Sequence, residues 1–368
     1  MTTPGAVAPP QPAAAPVTTA GPHPGHDPGT WYTSAELLEL ERTKLFGASW
    51  ALVGTADQVA EPGTYLSAVV GRNPLVVVRT PEGALRAFHN LCRHRGLPLV
   101  EGSGSCGRYL TCPYHQWSYD TDGELCRIPQ AGEQFPGVDP GALGLHRASV
   151  GEWGGMVFAH PDPGAPALED VLGELGRRLS HFVDGPLVQV ASTSYEVACN
   201  WKLIVENHVD VYHLWFLHRR SLAMYDHRSF AWELLGDNWW SFEPRKDPSG
   251  LADGALRWLA PSEYLGIGAH LVFPNLMLVT TNEYFASYDA VPLAPDRTRL
   301  TLRLRSAPGG DGAHLVAAVR AFLAEDIAAC EQLQMAVASP RFGLGPLALT
   351  HEAPIVRFHQ AVARACHG

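Results

Sequence analysis

The sequence has little that would draw it to nucleic acid or to an anionic membrane. Across its 368 residues 27 Lys and Arg stand against 37 Asp and Glu, a formal net charge of −10, and a surface of that sign repels polyphosphates. No apolar run approaches the roughly 18 residues that a membrane span needs. The seven cysteines show no disulfide rhythm, which fits a reduced, cytoplasmic setting. A dinucleotide fingerprint is also missing. Gly102-Ser-Gly-Ser-Cys-Gly107 matches G-x-G-x-x-G in letters, but no strand-turn-helix pattern surrounds it, so it is not read as a nucleotide site. Residues 1–30 hold eight prolines and no Lys or Arg. That is the composition of a disordered tail, not of a signal peptide.

What is present is length and apolar content. A chain of 368 residues, 46% hydrophobic and 17% charged, makes about two folded domains with sizeable cores. Order is expected from Thr33, which with Glu36 forms a capping box ahead of Leu37, Leu38 and Leu40, with Gly47 as the helix stop. Short β runs follow at 65–70, 74–79 and 85–89, divided by Pro62-Gly63, Gly71-Arg72-Asn73 and Glu82-Gly83. Residues 161–166 read as a linker, a helix is expected over about 168–182, and strand alternation over 188–197.

Within the β region lies Cys92-Arg93-His94, followed after seventeen residues by Cys112-Pro113-Tyr114-His115, giving C-x-H-x17-C-x2-H. Each half offers one sulfur and one nitrogen. A tetrahedral zinc site normally collects its thiolates as C-x2-4-C and its imidazoles as H-x3-5-H. A [2Fe–2S] centre of Rieske type needs the mixed arrangement, because two histidines replace two cysteines on one of its irons and raise the potential. A structural zinc protein stays open as the competing reading.

The second informative stretch runs from Asn200 to His218. Its apolar residues suit a buried helix, yet it carries Glu206, Asn207, His208, Asp210, His213 and His218, and buried polar groups need partners or a metal. On a helix Asp210 and His213 share a face, whereas His213 and His218 are about 140° apart and converge only if the helix ends or widens between them. A further helix is expected over about 313–339. Its stripe of Leu315, Val319, Phe322, Cys330 and Leu333 is interrupted by Asp326, where a hydrophobe is expected, while Glu325 lies about 100° off that face. A metal would remove the cost of a carboxylate there. Trp215, Phe216, Phe273, Met277 and Leu278 are candidate pocket residues, with Asn275 and Asn282 as polar contacts; Cys199 and Cys330 read as core cysteines.

The wording CRHRGLPL and CPYHQWSYDTDGEL, with D-x-Y-H-x4-H at Asp210, Tyr212, His213 and His218 and EDIAACEQLQ around Asp326, resembles the large (alpha) subunits of Rieske-type non-haem iron oxygenases, in particular members that work without a beta subunit. The resemblance implies a small all-β Rieske domain over 47–165. It implies an α+β catalytic domain of helix-grip (START-like) type, with an antiparallel sheet, over 31–46 and 166–368. Cys92, His94, Cys112 and His115 would hold the cluster. His213, His218 and Asp326, with Glu325 as the fallback, would hold mononuclear iron(II). Asp210 would couple the two centres between neighbouring chains of a homotrimer, by accepting hydrogen bonds from its own His213 and from the next chain's His115.

The implied activity is that of a terminal oxygenase: it takes electrons from an external NAD(P)H-dependent reductase or ferredoxin and hydroxylates a small aromatic or otherwise apolar organic molecule with O2, by mono- or dioxygenation or oxidative dealkylation. The alternative is a Rieske electron carrier without oxygenase activity. His208 falls in a variable position and is read as a lining or packing group, and Asn207 matches a position close to the iron.

Overall fold

The computed structural model describes residues 28–247, 256, 266–309 and 312–367. The proline-rich segment up to residue 27 lies outside them. The chain divides into two compact units, residues 40–171 and residues 172–367 with 28–39, and each is built on an antiparallel sheet.

In the 40–171 unit, seven strands follow the order Ala51–Thr55, Met156–His160, Arg147–Trp153, Leu85–His89, Asn73–Arg79, Thr64–Val70 and Ser103–Ser105. The strand Asn73–Arg79 shows why this unit needs few residues. Leu75 and Val77 enter a core with Leu66, Val70 and Val157, while Val76 and Val78 enter a second core with Phe88, Leu110 and Trp117. Buried on both faces, it reads as an unbroken valine run instead of an alternation. The second core also contains Cys92 and Cys112 and is closed by a small sheet of Leu110–Thr111, Ser118–Tyr119 and Leu125–Arg127.

In the other unit, seven strands lie in the order Val188–Val197, Arg297–Ser306, Tyr284–Ala294, Leu276–Thr280, Gly266–Val272, Asn238–Pro244 and Ala231–Leu235. The helix Trp201–Val209 packs against the long helix Gly312–Val337 and against Ala353–His367, and also touches the sheet. A long helix held against an antiparallel sheet is the helix-grip arrangement. No helix of the described residues is long and apolar enough to cross a membrane.

Several local expectations need correction. The helix cap falls one residue late: Ser34 Oγ accepts from Leu37 N (3.1 Å), while the Thr33 hydroxyl donates to Gly29 O. Thr30 already begins a helical turn, and helical backbone runs through Gly47 to Ala48 instead of stopping there. The 168–183 helix is broken at Gly173, which takes φ 49°. Leu333 is 47% exposed and off the buried stripe, which continues through Leu323, Cys330, Gln334 and Val337.

Candidate metal centres

The two loops of the 40–171 unit are built alike. Cys92 N donates to Leu97 O (2.9 Å) and Gly96 N to Cys92 O (2.8 Å); in the second loop Cys112 N donates to Trp117 O (2.8 Å) and Gln116 N to Cys112 O (3.0 Å). Each loop therefore turns at the fourth residue after its cysteine. Those residues, Gly96 and Gln116, take positive φ of 79° and 60°, and only glycine does so without strain.

This shared turn brings His94 Nδ1 to 3.1 Å from His115 Nδ1. Trp117 stacks on His94 (4.9 Å between centroids, 12° between planes), and Tyr114 lies over His115. Both thiols are buried, and burial, with the Cys112 thiol beside it, pushes the Cys92 thiol up. The Tyr119 hydroxyl lies 3.4 Å from Cys92 Sγ and accepts from Arg93 N. Two buried sulfurs and two converging imidazole nitrogens are the donor set that a Rieske cluster takes.

In the second unit the helix stops at Val209, sooner than its apolar pattern suggests, and Asp210 is its extended C-cap residue. The Asp210 side chain turns back to accept from Tyr212 N at Oδ1 (2.6 Å), a local bond that competes with helix continuation. A short 3-10 turn, Tyr212–Trp215, follows. His213 and His218 are thus brought together by loss of the helix, and Asp210 meets His213 without sharing a helical face with it.

His213, His218 and Asp326 offer ligand atoms within 4.8 Å of one another. Asp326 Oδ1 is 2.8 Å from His218 Nε2 and 3.6 Å from His213 Nε2. The other nitrogen of each ring meets a different acid. His218 Nδ1 lies 2.7 Å from Glu325 Oε2, which also accepts from Ser221 Oγ (2.6 Å). His213 Nδ1 lies 3.2 Å from Asp210 Oδ2, off hydrogen-bond alignment.

With protons on the two Nδ1 atoms, both Nε2 lone pairs would point at a carboxylate, an arrangement that a bound cation reconciles. Burial alone would lower the His213 pKa, but Asp210 and Asp326 overcome it and lift it to about 9. The same pairing holds Asp326 below the usual carboxylate range although burial opposes it. Two imidazoles and a carboxylate form the facial set of mononuclear non-haem iron. Glu325, 100° off the stripe, is where an imidazole-orienting acid sits.

Beside this triad is a cavity with about 440 Å³ of empty space, counting its mouth. Met277 is the only one of the five predicted pocket residues that lines it. Phe216 is 66% exposed, Trp215 packs on His351, Phe273 packs on Phe358, and Leu278 is buried elsewhere. Asn275 bonds Ala290 O, and Asn282 is buried away from the lining. Sequence reasoning missed Val279, Tyr288, Leu300 and Ile327, and Cys330 lines the cavity besides being core. Met277, Val279 and Tyr288 share a sheet face, but the strand Leu276–Thr280 is buried at every position, so no alternation in its sequence marks which residues face the cavity. His208 and Asn207 also line it. His208 Nε2 donates to His270 O (2.9 Å), and burial pushes its pKa down to about 4.

A cluster-type loop pair in one unit and a two-histidine, one-carboxylate triad in the other define the class of Rieske-type non-haem iron oxygenase alpha subunits. Residues 185–368, half of the chain, match the family described as the ring hydroxylating alpha subunit (catalytic domain), and residues 49–140 match the Rieske [2Fe-2S] domain; the chain belongs to this family. It is 35% identical over 187 residues to the chlorobenzene dioxygenase subunit alpha of Cupriavidus sp. (strain PS12), covering 50% of this chain and 42% of that one. It is 27% identical over 344 residues to the chloroplastic choline monooxygenase of Amaranthus tricolor, covering 90% and 76%. The match thus spans less than half the length of the first relative. The fold is shared with the quaternary ammonium Rieske monooxygenase CntA solved with an inhibitor, with TM-score 0.80, 24% identity and coverage of 92% and 95%.

Proposed function

We propose that this chain is a terminal oxygenase component that hydroxylates a small, uncharged, largely apolar molecule, by mono- or dioxygenation or oxidative dealkylation. It draws electrons from a separate NAD(P)H-dependent reductase or ferredoxin. In this reading Cys92, His94, Cys112 and His115 hold a [2Fe–2S] cluster, and His213, His218 and Asp326 hold iron(II). The observation that carries it is the triad at the edge of an apolar cavity, which an electron carrier would not use. When bound, the two groups supply one-electron delivery and O2 chemistry.

The side chains do the rest. Glu325 and Ser221 fix the His218 ring, and Asp210 faces the Nδ1 edge of His213. In a homotrimer Asp210 would also accept from His115 of the neighbouring copy; exposed Tyr212 and Phe216, 47% and 66% accessible, are the apolar surface such a neighbour would cover. Residues 47–165 would be the cluster domain, and 31–46 with 166–368 the catalytic one, working in the cytoplasm where thiols stay reduced. The relatives are named for arenes and for quaternary amines, and the described lining, rich in Ile, Leu and Val with only Tyr288 and Phe322 as benzene rings, favours the uncharged end.

The test is metal and sulfide analysis of anaerobically purified protein, with EPR after dithionite and O2 uptake with a surrogate reductase. About three irons and two sulfides per chain, with a Rieske signal and substrate-dependent O2 uptake, are expected. Two irons that iron(II) cannot raise to three would mean a carrier, and zinc without sulfide would sink the reading.

A further inference from the structure

On the sheet face under the cavity, the described lining residues Met277, Val279 and Leu300 are apolar, and Tyr288, in the strand Tyr284–Ala294, is the one that carries a hydroxyl. On that face its neighbours along the strand are Ala286 and Ala290, both 0% exposed, and across the sheet Met277 and Leu302. The two alanines leave the phenol without a large side chain on either side of it along its own strand. Tyr288 is 4% exposed, and its hydroxyl has no hydrogen-bond partner. An unpaired buried hydroxyl costs on the order of 1–3 kcal/mol, so a group retained there has a use. Burial first, and Asp326 second, keep this hydroxyl protonated far above neutral pH, so it is a donor.

The rest of the lining narrows what that donor meets. Among the described residues no Lys or Arg lines it to bind an anion. A quaternary ammonium group is held by an aromatic cage or a free carboxylate; among the described lining residues the benzene rings are those of Tyr288 and Phe322, and the carboxylate, Asp326, is turned to His213 and His218.

We propose that Tyr288 sets specificity by donating a hydrogen bond to an oxygen acceptor, such as a carbonyl, on an uncharged and otherwise apolar substrate beside Asp326. This rests on the reading above that the cavity is the oxygenase's substrate site.

The experiment is calorimetry on the full chain with its metals, wild type and Tyr288→Phe, using three probes of matched size: 1-indanone, indane and phenyltrimethylammonium. Wild type should bind 1-indanone about tenfold more tightly than indane, the size of one good hydrogen bond, and bind the cation most weakly. Tyr288→Phe should bring 1-indanone to within about twofold of indane and leave indane unchanged. Its melting temperature should hold or rise, because the atom removed has no partner in the protein.

Equal binding of the two neutral probes by wild type, a ketone preference that survives in Tyr288→Phe, tightest binding of the cation, or no binding of any probe would each overturn the proposal. So would a fall of more than a few degrees in melting temperature, which would mean that the hydroxyl already has a partner. Binding needs no turnover, so the two readings fail separately. A Tyr288-dependent preference without reductant-driven oxidation of the bound ketone would count against the oxygenase alone. Oxidation of indane without the preference would count against Tyr288 alone.

Discussion

The ends of two imidazole rings separate ligand from support. His218 presents Nε2 to Asp326 and Nδ1 to Glu325, so two adjacent acids on one helix have different jobs. Asp326→Ala should remove the one carboxylate facing both Nε2 atoms: iron should fall by about one per chain with acid-labile sulfide unchanged. Glu325→Ala should keep the ligand set but loosen it, weakening iron(II) about 10–100-fold in competition with a chelator, while Glu325→Gln, which can still accept from Nδ1, should lose much less. Equal effects of the two alanine changes would contradict the assignment. The cluster loops give a second residue-level test. Gly96 and Gln116 hold equivalent positive-φ positions, and a Cβ at Gly96 meets nothing within 4 Å, so only backbone strain is at issue. Gly96→Val should cost about 1–2 kcal/mol or more, whereas Gln116→Gly should be near neutral, both read from thermal unfolding of the cluster-loaded protein.

The helix Trp201–Val209 shows what the sequence tells and what it hides. Its start is legible, because Asn200 is an N-cap type: the side chain accepts from Lys202 N at 3.0 Å. The same buried amide also donates to Tyr32 O (3.0 Å) and Pro295 O (2.7 Å), tying three segments together in a way no local pattern announces. Asn200→Ala loses a cap and leaves one buried and one half-buried carbonyl short of a donor, so a loss of about 2–4 kcal/mol is expected, measurable as a lowered urea midpoint at unchanged slope. A change under about 1 kcal/mol would mean that the neighbours supply the missing donors. The end of this helix was hidden, since Val211, Leu214 and Trp215 continue an apolar run and the Asp210 Asx turn that stops it is local polar chemistry. The strands at 74–79, 85–89 and 188–197 were legible within a residue because turn residues such as Gly71-Arg72-Asn73 and Glu82-Gly83 set their starts, with β-branched residues filling the first and third. The cavity lining was not, because it gathers side chains from strands and helices far apart in sequence.

At the scale of the whole catalytic unit, one buried histidine couples its stability to pH. His270, in the strand Gly266–Val272, is 1% exposed. Its Nε2 lies 3.0 Å from Thr280 Oγ1, its Nδ1 has no partner, and it stacks near Trp240. Burial, with His208 next to it, pushes its pKa down to about 3. In the unfolded chain an imidazole titrates near 6.5. Between those values the unfolded state binds more protons than the folded state, so stability rises with pH. The contribution is intact above about pH 6.5 and is lost progressively as pH falls toward about 3. At pH 5 the difference of about 1.5 pH units corresponds to about 2 kcal/mol. Replacing His270 with Gln removes the titration while keeping a polar side chain beside Thr280. The wild type should therefore lose about 2 kcal/mol more than His270→Gln between pH 7.5 and pH 5 by denaturant titration. Parallel pH profiles for the two proteins would show that the ring is protonated, or solvated, in the folded state, against the buried neutral imidazole that the sheet now encloses.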